Sequence, residues 1–390
     1  MKYSKRITAI TGDGDDGWGV FYRARQMIAA GKPITELTIG EHDIGTHQSI
    51  LNAMHDAASG GHTGYAVVPG SDALRAIVAK RIMERTGVPT GPQNIMITPG
   101  GQAGLFAAHH ALCDAGDRAL FIDPYYATYP TTIRAVGATP VAIKTTAQNG
   151  FQPRAEDLGP LAKGAKTLLI NSPNNPTGVV YDRTTLEGIA EVCQTHDITL
   201  ISDEVYDTQV WEGAHISPRT LPDMADRTVV IGSMSKSHAM TGSRVGWVCA
   251  PAPMIELLID LATTTTYGVP GYIQDAAAYA LAQGKALEQD IAAPFDRRRK
   301  ATMALLAGQS VVKASPAQGA MYVMLDIRAT GLSGIEFANR LLDDEGIAVM
   351  PGESFGQAAG GHIRIAMTID DDAYNAALER LIAFATQLTM

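Results

Sequence analysis

Short apolar runs, nearly free of internal charge, alternate with longer amphipathic stretches through the middle of the chain. Ile95–Thr98, Arg118–Asp123, 166–171, Thr199–Asp203 and 228–232 are predicted strands, each ending in a turn or a polar residue. Between them, 102–115 and 184–196 are predicted helices. Strands that are apolar on both faces suit a mostly parallel sheet covered by helices on each side, the α/β class. The C-terminal part differs. A long charged helix over 286–306 precedes strands at 319–326, 347–350 and 362–367, with a helix over Gly334–Glu345 among them. This pattern predicts a smaller α+β unit. The first 45 residues or so are too few for their own core and are expected to join it.

Composition narrows the function classes. The chain has 390 residues, 46% of them hydrophobic, and a net charge of −9. That size supports two or three domains. An acidic balance argues against nonspecific nucleic-acid binding, which wants a basic surface. No run approaches the roughly 18 apolar residues of a membrane span. The start, Met-Lys-Tyr-Ser-Lys-Arg-Ile, lacks a signal peptide's apolar core. Cys113, Cys193 and Cys249 share no metal spacing and are expected to be buried free thiols in a reducing cytoplasm. No metal is expected.

Candidate chemistry gathers at strand ends. In Gly232-Ser-Met-Ser-Lys-Ser-His-Ala-Met-Thr-Gly-Ser-Arg244, Lys236 follows a buried strand among Ser233, Ser235 and Ser237, with Arg244 eight residues on. A lysine there is costly without a partner or a covalent task. Hydroxyls beside a guanidinium suit a phosphate dianion. Such a lysine and phosphate pocket fit a pyridoxal phosphate (PLP) Schiff-base enzyme. Pro99-Gly100-Gly101-Gln102 lies between strand and helix, where backbone amides can approach a phosphate; a plain turn explains it equally. Asn171-Ser-Pro-Asn-Asn-Pro-Thr-Gly178 forms a rigid turn at another strand end, and Asn175 there can donate to a phenolate or carboxylate oxygen. Asp203, closing an apolar run, needs a cation if buried, and a protonated pyridine nitrogen is one candidate; a helix N-cap is the other reading. Tyr206 can reach the same ring's phenolate oxygen. Tyr126 could stack on a planar heterocycle or simply pack. Arg364, inside an apolar strand, is either a carboxylate receptor facing a cleft or a surface residue on an edge strand.

Together these elements resemble the class I/II, fold-type-I PLP-dependent aminotransferases, over nearly the full length. The resemblance runs from Leu37-Thr-Ile-Gly-Glu-His-Asp43 and Tyr65-Ala-Val-Val-Pro-Gly70 through Asn-Asn-Pro-Thr-Gly, Ser-Asp-Glu-Val-Tyr and Ser-Met-Ser-Lys to the Arg364 strand. It implies a large, mainly parallel seven-stranded α/β/α domain over 46–285 and a smaller α+β domain over 286–390, with 1–45 as an arm and part of the latter. It implies a ping-pong exchange of an amino group between an L-amino acid and a 2-oxo acid, in a homodimer with shared active sites. Lys236 is then the Schiff-base lysine and proton shuttle. Asp203 holds the pyridine nitrogen, and Asn175 and Tyr206 the phenolate oxygen. Tyr126 stacks on the ring, while Gly100, Gly101, Gln102, Ser233, Ser235 and Arg244 surround the phosphate. Tyr65 reaches the neighbouring subunit's phosphate, and Arg364 takes the substrate carboxylate near Gly40. A PLP-dependent carbon–sulfur β-lyase on the same scaffold is the alternative activity.

Three features depart from the family. His42 stands where proline is usual and is expected to be a neutral loop substitution. Gln102 replaces a lysine of some aspartate-using relatives, and no arginine occurs over 263–279, so no second carboxylate receptor is evident. Gly12-Asp-Gly-Asp-Asp-Gly-Trp-Gly19 lacks the closing glutamate of a calcium loop and is expected to act as a lid, with Trp18 contacting substrate. Arg297-Arg-Arg-Lys300 is expected to be a solvated helix face, and 350–356 a loop at the cleft mouth.

Overall fold

The computed structural model describes residues 1–12 and 17–389. Asp13 to Asp16, the centre of the expected glycine-rich lid, lie outside the described residues.

Seven strands build the main sheet: β1 (Ile95–Thr98), β2 (Arg118–Asp123), β3 (Thr139–Lys144), β4 (Ala165–Asn171), β5 (Thr199–Asp203), β6 (Thr228–Ser233) and β7 (Gly246–Cys249). Their spatial order is β1-β7-β6-β5-β4-β2-β3, parallel except for β7, which runs antiparallel to both neighbours. From the adjacent pair β2 and β4 the chain builds outward in opposite directions. That reversal leaves a crevice beyond the strands' carboxyl ends, where ligands bind in open α/β sheets. Alternation explains the layering. Leu120, Ile122, Leu168, Ile170 and Leu200 pack on one side, with the helices Ala155–Ala162 and Arg183–Thr195. Phe121, Leu169, Ile201 and Ile231 pack on the other, with Gly101–Leu112 and Ala252–Thr264.

A second, antiparallel sheet has the order β10-β11-β9-β8, from β8 (Lys313–Ala314), β9 (Tyr322–Asp326), β10 (Met350–Pro351) and β11 (His362–Ala366). The helices Lys285–Ala307, Gly334–Glu345 and Asp371–Gln387 accompany it. A capping box of Ser333 and Glu336 starts the middle helix, and Gly346, at φ 63°, ends it in the left-handed conformation. Thr35–Glu36 of the arm pairs in parallel with Ile347–Ala348, so the first residues join this unit.

The structure corrects three sequence expectations. The basic run on the long helix is not a solvated face. Arg298 and Arg299 are buried. Arg298 grips Asp43 of the arm through two hydrogen bonds, of 2.6 and 3.1 Å, and also binds Asp371 and the Met367 carbonyl. Arg299 binds the Ala317 carbonyl and Glu212. The loop expected over 350–356 is β10 followed by a 3₁₀ turn, and its Phe355 is fully buried. Strands β3 and β7 were not expected from the pattern: β3 is an edge strand carrying Pro140, and β7 is only four residues long.

Candidate active site

The carboxyl ends of β4, β5 and β6 deliver Asn171, Asp203 and Ser233 to one cavity of about 330 Å³, closed on its far side by the arm and the second sheet. Ser233 leaves β6 extended and accepts a 3.1 Å hydrogen bond from the Ser235 amide, which starts the single turn Met234–Ser237. Lys236 stands on that turn, and its Nζ donates to the Gly40 carbonyl of the arm. The Schiff-base candidate thus faces the cavity and, among the described residues, has no carboxylate partner.

Asp203 is buried. One carboxylate oxygen accepts from the Tyr129 hydroxyl at 2.7 Å, the other from the Val205 amide at 3.3 Å. Burial pushes its pKa up to about 6, against the pull of those two donors. Among the described residues no cation lies within ion-pair range of it. No helix follows Asp203, only a turn, so the N-cap reading does not describe it; the carboxylate lines the cavity.

Arg364 on β11 is its opposite in sign. It is 2% exposed. One terminal nitrogen donates to Asn175 Oδ1 at 2.8 Å, the other to the Thr38 carbonyl, and its buried Nε has no partner among the described residues. The guanidinium lies between two aromatic rings, 4.3 Å from the Tyr322 centroid and 4.4 Å from that of Phe355. Burial lowers its pKa from the ordinary arginine value, and among the described residues no carboxylate pairs with it. A buried charge without a partner is expensive. This cavity holds one of each sign, and a ligand group of opposite charge would relieve each.

Tyr206 donates to the Tyr322 hydroxyl at 3.2 Å, and both are buried. Burial first, then the neighbouring Tyr322, push the Tyr206 phenol well above its ordinary pKa, so it is a donor at any working pH. Tyr126 lines the cavity. At the phosphate-candidate corner, Gly100 has φ 81°, and a Cβ there would run into the Arg244 guanidinium. Arg244 itself adopts φ 50° and is steadied by the Thr241 carbonyl at 2.8 Å. Gly101, Gln102, Ser233 and Ser235 line the same space. The Gln102 amide is already engaged, donating to Thr132 at 2.6 Å and accepting from Thr128 at 2.9 Å.

Trp18 and Gly40 line the cavity, as expected for an arm that closes it. Tyr65 does not. It is 93% exposed and meets Tyr267 edge to face. His42 is buried behind the wall, edge-on to Phe295. Burial and the Lys236 charge push its pKa down to about 4, so it is neutral. Tyr129 and Tyr322 were not singled out from sequence. Tyr129 was legible as the third tyrosine of a cluster ended by Pro130. Tyr322 is legible only once register is known: Met324 opposes Arg364, which puts Tyr322 diagonally on Arg364's face.

The family model for aminotransferase class I and II matches residues 32–381. The arginine–pyruvate transaminase of Pseudomonas aeruginosa is 39% identical over 389 residues, covering all of this chain and 99% of that one. The aspartate/prephenate aminotransferase of Thermus thermophilus is 32% identical, with 92% of each chain covered. Among solved structures, Thermus thermophilus aspartate aminotransferase with maleate superposes at TM-score 0.91, with 31% identity over 99% of each chain. The sheet order, the lysine turn and the two uncompensated charges accord with that likeness, and the chain belongs to the PLP-dependent class I and II aminotransferases.

Proposed function

We propose that this aminotransferase acts on amino acids with neutral or basic side chains, and not on dicarboxylic ones. One observation carries the reading. Among the described residues, the cationic side chains lining the cavity are Lys236, Arg244 and Arg364, and each has another assignment. Lys236 carries the cofactor, Arg244 faces its phosphate, and Arg364 takes the α-carboxylate. No arginine or lysine occurs over 263–279, and Gln102 is held by two threonines. A side-chain carboxylate would find no second receptor, whereas Glu41 and Trp18 at the wall suit a cationic or apolar group. The full-length likeness to an arginine–pyruvate transaminase supports a basic donor and a monocarboxylate acceptor such as pyruvate.

The residues present fit PLP. The Asp203 carboxylate suits a pyridinium nitrogen, the Tyr206 and Asn175 donors a phenolate oxygen, and the Gly100–Arg244 corner a phosphate. Bound there, PLP supplies an electron sink for the pair left at the substrate Cα. Lys236 Nζ would hold the cofactor and, once substrate took its place, would serve as the base that takes and returns the substrate Cα proton. Tyr126 limits ring tilt, and Trp18 covers the cavity mouth against water.

The exposed Tyr65 and Tyr267, which meet edge to face, support a homodimer in which Tyr65 serves the partner's phosphate. Three buried free thiols support a cytoplasmic enzyme. We place the domain boundaries near residues 45 and 285. Adding amino acids singly to the PLP-loaded enzyme tests the substrate class. Arginine and neutral donors should bleach the visible cofactor band, and aspartate and glutamate should not. Faster bleaching by aspartate or glutamate would contradict the assignment.

A further inference from the structure

Tyr322 touches both charge-handling ends of the cavity. Its hydroxyl is 3.2 Å from that of Tyr206, the phenolate donor. Its ring face lies 4.3 Å from the Arg364 guanidinium, the carboxylate receptor. Its hydroxyl also occupies the space a Cβ at Gly40 would need, and the Gly40 carbonyl accepts from Lys236. A phenylalanine would give the same ring face, so cation–π packing does not explain the hydroxyl. Burying a hydroxyl costs free energy unless it is bonded, and Tyr206 is its bonding partner.

Resting on the PLP reading above, we infer that Tyr322 is a positioning residue for transamination, acting through Tyr206. Tyr206 has one hydroxyl hydrogen. When it donates to the cofactor's phenolate oxygen, its bond to Tyr322 must reverse, with Tyr322 donating to the Tyr206 oxygen. A donor that is itself hydrogen-bonded donates more strongly. The second tyrosine therefore stabilises the negative phenolate oxygen, and so weakens that oxygen's hold on the proton at the Lys236–cofactor nitrogen. Because the same ring packs on Arg364, a carboxylate arriving there perturbs Tyr322 and, through Tyr206, the acidity at that nitrogen.

The test is the pH midpoint of the visible cofactor band in the loaded enzyme, which reports that proton. Tyr206→Phe should move the midpoint up. Tyr322→Phe should move it in the same direction by a smaller amount. In the Tyr206→Phe background, Tyr322→Phe should add nothing, because the hydroxyl acts through Tyr206. Gly40→Ala displaces the Tyr322 hydroxyl without altering the tyrosine and should also shift the midpoint up, again only while Tyr206 is intact. An unchanged midpoint in Tyr322→Phe, or a shift of equal size with and without Tyr206, would overturn the inference and leave the PLP assignment standing. Absence of the band in the parent enzyme would instead remove the assignment itself.

Discussion

Asp203 carries a clear burial cost at residue scale. Its folded pKa, about 6, lies above the ordinary carboxylate value because burial disfavours the charge. Its sign is the reverse of a salt-bridged aspartate's: the group destabilises the fold at pH above 6, and the cost fades as pH falls toward 4. Asp203→Asn should therefore stabilise the cofactor-free protein at pH 7, by up to roughly 3 kcal/mol, with the gain vanishing by pH 4. Urea unfolding of both proteins across that range checks this. The same variant should bind PLP more weakly and lose most turnover, since the neutral amide no longer holds a protonated ring nitrogen. A variant less stable than the parent at pH 7 would mean that the Tyr129 and Val205 hydrogen bonds more than offset the burial. Tyr129→Phe separates the two terms: it should raise the Asp203 pKa further and weaken cofactor binding, without touching the substrate-binding end.

At the scale of elements, the Arg298 clamp ties the long helix to the arm that carries Gly40. Arg298→Met takes the buried guanidinium from Asp43, Asp371 and the Met367 carbonyl and should cost about 2–3 kcal/mol, whereas Arg297→Met, on the exposed neighbour, should change stability by less than about 0.5 kcal/mol. Chemical denaturation of the pair distinguishes a clamp from a solvated basic face. The sequence pattern missed this because charge composition does not say which of three consecutive arginines points inward. What it does encode are the central strands. β2 and β5 are runs of apolar residues that end in a site carboxylate or turn, and no competing helix period covers them. β3 escaped because Pro140 reads as a breaker, which only an edge position tolerates. Lys236, Asp203, Asn175 and Arg364 were legible because a charged or amide group at the end of, or within, an apolar strand has few structural excuses. Tyr322 was not, and Tyr129 offered only its place in a tyrosine cluster, because a tyrosine near a strand end is ordinary core until the fold shows what its hydroxyl meets.

For the whole molecule, the two sheets bring an anion and a cation, each without a counter-charge among the described residues, to one cavity: Asp203 from the seven-stranded sheet and Arg364 from the smaller one. Neither sheet alone makes a site. Lys236 joins them, standing on the large sheet and reaching the arm's Gly40 carbonyl. The most direct measurement is where the cofactor attaches. The PLP-loaded protein is treated with borohydride, which fixes an imine as a stable amine, and the peptides are then mapped by mass. The label should fall on the peptide carrying Lys236 and disappear in Lys236→Ala, together with turnover. A label on a different lysine, or full turnover in Lys236→Ala, would contradict the assignment of this cavity as the catalytic site.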